Sequence, residues 1–123
     1  MIKILALGMG GFIGAISRYW VSGLTQRLSI GFPLGTLTVN VLGSLILGFL
    51  ATLFLERLAV SVELRLFLLI GVLGSFTTYS TFSLETMNLL RNGDWWFVFL
   101  SVGGNLLLGL LAVWAGMILA RAV

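Results

Sequence analysis

Four apolar runs, at about 2–24, 34–55, 64–90 and 95–120, take up nearly all of the 123 residues. A helix that crosses a bilayer needs about 20 mostly apolar residues, so each run is long enough to span. The connections, QRLSIGFP, ERLAVSVE and RNGD, hold charges and turn formers such as Pro33 and the Asn92-Gly93 pair. Connections this short make neighbouring helices antiparallel. The expected fold is an all-α membrane protein of four transmembrane helices with both termini on one side. Only 9% of residues are charged and the mean hydropathy is +1.16, against about 25% charged in soluble domains. The spans leave no room for a soluble domain. The N-terminal stretch also shares features with a signal peptide, having Lys3 ahead of an apolar run. That run continues past Gly14 with no export-type break, so it reads as the first span.

Cysteine and histidine are both absent, which excludes disulfides, thiolate metal sites and the commonest general base. An enzyme would have to work with four carboxylates. The seven basic residues are scattered rather than clustered, a pattern that does not support a nucleic-acid surface, and they read as interface anchors. Lys3, Arg57, Arg65 and Arg121 fall on one face, against Arg27 and Arg91 on the other. This weak positive-inside bias permits insertion in both orientations, and hence an antiparallel dimer of identical chains; a single orientation fixed by lipid or the insertion machinery fits the count equally. The glycines recur at small-xxx-small spacings such as Gly10/Gly14, Ser44/Gly48 and Ala112/Gly116, which marks faces where helix backbones approach closely. Four short helices enclose little interior, so a solute route calls for an oligomer.

Polar residues within a span are costly and point to function. Residues 74–83, GSFTTYSTFS, carry six Ser or Thr hydroxyls in ten positions astride the middle of the third span. Hydroxyls of this kind either bond back to the carbonyl one turn earlier or surround a helix broken near the midplane, which is tolerated where the freed backbone lines a cavity. Such breaks make ion sites. Asn40, in TLTVNVLGS, lies near the centre of the second span, as an interhelical clamp or a pore group. Arg18 either snorkels to the headgroups beside Tyr19 and Trp20 or stands at an anion-attracting vestibule. Ser101 and Asn105 share a face of helix 4 at four-residue spacing, as a stripe along a pore or as partners of a neighbouring helix. Phe76, Tyr79 and Phe82 lie near one face of helix 3, where an electropositive ring edge can assist a desolvated anion. Glu85 is the one acidic residue well inside a span.

Three segments together resemble a known family. Gly11, Gly14, Arg18 and Tyr19 form GxxGxxxRY; GTLTVNVLGS surrounds Asn40; and GVLGSFTTYSTFSLE lies in helix 3. In order and spacing they are similar to the signatures of the Fluc/CrcB fluoride channels, and the resemblance covers essentially the whole chain. It implies a dual-topology antiparallel homodimer in the cell membrane, with two pores that export fluoride passively down its gradient. Carried over by position, it implies that Asn40 and Phe82 line the pore together with Tyr79, that Ser80 and Thr81 supply hydroxyls beside it, and that Arg18 stands at the vestibule. It further implies a central structural sodium ion held by the backbone carbonyls of Gly74 and Thr77 from both subunits. This chain departs from the family pattern in two places: Tyr79 stands where Phe is usual, and Gly109 where Ser is common. The second shortens the polar stripe of helix 4 to Ser101 and Asn105, and pairing with a divergent paralogue stays open.

Two other classes share the four-helix plan. A small proton-coupled multidrug exporter needs a carboxylate deep in helix 1, which this chain lacks. A non-transporting assembly subunit would use the glycine-rich packing but has no need of the hydroxyl cluster.

Overall fold

The computed structural model describes residues 1–123 as an all-helical chain. Helix α1 runs Ile2–Gln26 and α2 runs Leu34–Glu56. Gln26 pins the loop between them, donating to the Phe32 carbonyl at 2.9 Å and accepting from the Gly35 amide at 3.0 Å. That second bond satisfies one of the free N–H groups opening α2.

The third span, Val62–Asn92, is built in two pieces. The first, α3, covers residues 62–76, begins with the Ser61 hydroxyl accepting from the Leu64 amide at 3.2 Å, and winds as a π-helix over Leu66–Leu73. The second, α4, runs Tyr79–Asn92 and closes on Gly93, whose φ of 79° suits a residue without a Cβ. Between them Thr77 (φ −83°, ψ 158°) and Thr78 (φ −151°, ψ 118°) are extended. Helix α5, Trp95–Ala122, carries a short π-helical stretch at Gly104–Leu108.

Packing is dominated by two close pairs, α2 on α5 and α1 on α3. Glycine makes each possible. A Cβ on Gly48 would strike the Val113 carbonyl of α5, and one on Gly116 would strike the Leu45 carbonyl of α2. At the other crossing a Cβ on Gly10 would meet the Phe67 carbonyl, and Gly71 faces Gly10 in turn. Little hydrophobic drive acts between helices in lipid, so contact over bare backbone has to supply the attraction.

All four helices are long and apolar enough to cross a membrane. Only 21 of 123 residues are buried, and the exposed surface is rich in Leu, Ile, Phe and Trp, as a lipid-facing protein requires. At one end Arg121 pairs with Glu56 at 2.9 Å, Arg57 donates to the Arg121 carbonyl at 2.8 Å, and Arg65 donates to the Phe54 carbonyl at 2.6 Å. These arginines complete the ends of α2 and α5, where helix carbonyls would otherwise lack partners.

Candidate functional site

The extended pair Thr77–Thr78 leaves helix carbonyls and amides without their usual partners, and the neighbouring helices decide where these turn. Asn40 of α2 meets both backbone groups of Thr78. Its Oδ1 accepts from the Thr78 amide at 2.8 Å, and its Nδ2 donates to the Thr78 carbonyl at 3.0 Å. One side-chain amide therefore replaces the helical bond that the Thr78 amide has lost, and adds a second donor to the carbonyl that opens α4. The other Nδ2 hydrogen goes to Asn105 Oδ1 on α5, at 2.8 Å. Asn105 in turn donates to the Ser101 carbonyl at 2.9 Å. Because that carbonyl can only accept, the orientation of both amides is fixed along the chain of bonds.

Beside this relay lies a cleft of about 470 Å³, lined by Asn40, Ser44, Thr77, Thr78, Phe82 and Asn105, with Tyr79 at its rim and Leu47, Val102 and Leu106 as apolar wall. No carboxylate borders it. The Tyr79 and Phe82 rings meet tilted at 56°, with centroids 5.7 Å apart, and Tyr79 is 80% exposed. A second cavity of about 250 Å³ holds Arg18 with Thr81, Thr78, Thr36 and Ser22. The half-buried Arg18 guanidinium lies 3.5 Å from the Thr77 carbonyl. Thr78 Oγ1 donates to Thr81 Oγ1 at 2.9 Å and accepts from the Thr81 amide at 3.3 Å, capping α4.

The structure thus gathers Asn40, Phe82, Asn105, Thr77 and Tyr79 around one cleft, and sets Arg18 and Thr81 in the adjoining cavity. Ser101 is 1% exposed and stands behind the cleft, its hydroxyl 3.3 Å from that of Thr86. Ser80 and Gly74 lie on the outer surface of the chain, bordering neither cavity. The carbonyls of Gly74, Ser75 and Phe76 accept no hydrogen bond from another element. Glu85 lines a third cavity of about 250 Å³ with Gln26 and Asn88, and its Oε2 is buried without a partner. Two groups of the site escape a residue-by-residue reading. Ser44 looks in sequence like half of a packing pair with Gly48, and the part played by the Thr78 backbone emerges only once Asn40 is placed beside it.

Four helices long and apolar enough to cross a membrane, with a cleft among them that no carboxylate borders, define a small multi-pass membrane protein. The chain belongs to the CrcB family: the family described as "CrcB-like protein, Camphor Resistance (CrcB)" matches residues 5–117. It is 45% identical over 124 residues to a Nitratidesulfovibrio vulgaris protein, covering 100% of both chains. It is 50% identical over 123 residues to one from Opitutus terrae, covering 98% of this chain and 93% of the relative. It is 42% identical over 124 residues to one from Maridesulfovibrio salexigens, covering 100% of this chain and 98% of the relative. Each of the three is named "Fluoride-specific ion channel FluC", and none is named as an enzyme.

Proposed function

We propose that this chain is the subunit of a fluoride-selective channel that lowers cytoplasmic fluoride by passive flow, through two pores of an antiparallel homodimer. The observation that carries the reading is the cleft at the extended Thr77–Thr78 pair, where amide and hydroxyl donors and the Phe82 ring meet with no carboxylate. Fluoride holds its hydration shell tightly, so neutral donors have to replace water as the ion passes, as carbonyls replace it for cations in other filters. Donors without a fixed cation bind the ion weakly enough to release it. Arg18, in the adjoining cavity, raises the local concentration of anions at the entrance. The exposed hydroxyls of Ser80 and Thr81 suit a surface completed by a second subunit.

The residues present also fit a structural sodium ion at the dimer axis. Gly74 is exposed and its carbonyl has no partner in another element, while no group of three His, Cys, Asp or Glu is available for a different metal. Gly74 and Thr77 would hold the ion through backbone oxygens. A bound cation there would neutralise carbonyls converging from two half-helix ends.

Efflux of fluoride from liposomes holding the purified protein, followed with a fluoride-selective electrode, tests the reading. Fluoride flux without a proton gradient, and without matching chloride flux, is expected. Dependence on a proton gradient, or equal passage of chloride, would sink it.

A further inference from the structure

Resting on the channel reading above, we propose a further anion-binding subsite in the same cleft, formed by the Ser44 hydroxyl and the second amide hydrogen of Asn105. An asparagine amide has two hydrogens to give. Asn40 has given both, to the Thr78 carbonyl at 3.0 Å and to Asn105 Oδ1 at 2.8 Å. An anion entering the cleft therefore finds no free donor on Asn40. Asn105 differs. One of its hydrogens goes to the Ser101 carbonyl at 2.9 Å, its oxygen receives Asn40, and the remaining hydrogen has no partner in the chain.

Ser44 supplies the companion. It stands four residues beyond Asn40, on the same face of α2, and lines the cleft together with Asn105. Helical hydroxyls commonly bend back to a carbonyl one turn earlier, as Thr38 does to Leu34 at 2.8 Å. Ser44 makes no such bond. Opposite it α5 presents Gly109, where even an added Cβ would stay 3.8 Å from the Ser44 oxygen. Half-buried, Ser44 borders the cleft beside the apolar Leu47, Val102 and Leu106.

Two neutral donors, without a carboxylate or a fixed cation between them, select a small monovalent anion that is strongly hydrated. The apolar walls strengthen the contact by excluding water.

The test is the fluoride dependence of efflux from liposomes holding the full-length protein, recorded over a series of fluoride concentrations. Losing one hydrogen bond to a charged ligand weakens binding by about tenfold or more. Ser44→Ala should therefore shift half-saturation to higher fluoride by about that factor, and Ser44→Thr should restore it. Ser44→Cys, which keeps the volume with a weaker donor, should move the curve in the same direction as Ala and stands in if the Ala variant fails to fold. Ala and Cys curves that overlay the wild type overturn the subsite and leave the channel reading intact. A wild type that carries no fluoride overturns both.

Discussion

Replacing Asn40 by Asp is nearly isosteric, yet it inverts the hydrogen-bond chemistry at the centre of the cleft. In Asn40→Asp an oxygen takes the place of Nδ2, 3.0 Å from the Thr78 carbonyl and 2.8 Å from Asn105 Oδ1. Two donor–acceptor contacts become two acceptor–acceptor contacts. A buried polar group left unpaired costs about 1–3 kcal/mol, so the two together cost roughly 2–6 kcal/mol. Protonation of the new carboxyl recovers one bond at most. The ionised form also faces the permeant anion: at about 4 Å and an effective dielectric near 20, like charges repel by about 4 kcal/mol. That is about a thousandfold in occupancy of the site. Fluoride efflux from liposomes should fall by about this factor, while elution on size exclusion stays that of the wild type. Asn40→Ser, which shortens the side chain without adding charge, should lose less. Wild-type efflux through the Asp variant would refute the reasoning at its root, since both the relay and the anion path would then be wrong.

Phe82→Ile should lower flux by up to about tenfold, because an aromatic contact is worth about 0.5–1.5 kcal/mol beyond its area; unchanged efflux would mean that the ring only packs. Gly48→Val should destabilise the protomer by about 1–3 kcal/mol or more through overpacking, since even a Cβ there meets the Val113 carbonyl. Gly103→Ala, with nothing within 4 Å of its Cβ, should unfold with the wild type in a thermal scan of the detergent-solubilised protein, and equal stability of Gly48→Val would refute the packing. Terminal tags should be labelled from both sides of the membrane, and density with short oxygen contacts should sit at the dimer axis. Labelling from one side would remove the antiparallel dimer, and a well-resolved empty axis the sodium ion.

The four spans were legible because hydropathy and span length are sums over many residues, and no single position has to be read correctly. Their ends depend on local capping instead. The third span starts at Val62 because Ser61 caps it, two residues before the apolar run begins. The polar positions were legible as a set, since a midspan Asn or a run of hydroxyls is conspicuous against lipid. Their partners were not. Hydrogen bonds such as Asn40 to Thr78, 38 residues apart, and Asn40 to Asn105, 65 apart, follow from helix crossings that sequence spacing does not encode. For the same reason Ser101 and Asn105, one stripe by periodicity, divide in space into a buried support and a cleft-lining donor. Arg18 is remote in sequence from the hydroxyl cluster, but the α1–α3 crossing at Gly10 and Gly71 carries it to the Thr77 carbonyl.

That carbonyl links the two halves of the proposed mechanism. A lone protomer leaves Gly74 and Ser80 exposed and Tyr79 80% exposed on the outer side of the third span. Polar groups facing lipid without partners cost several kcal/mol each, so the face calls for protein rather than acyl chains. In the proposed dimer the Gly74 and Thr77 carbonyls would hold the axial cation, while Arg18 lies 3.5 Å from the Thr77 oxygen. One oxygen then feels the axial charge and the entrance charge together. A cation held there would fix the half-helix end and with it Thr78, whose backbone in turn fixes the amide of Asn40 at 2.8 and 3.0 Å. An ion buried at the proposed axis would thereby set the geometry of a pore it never enters.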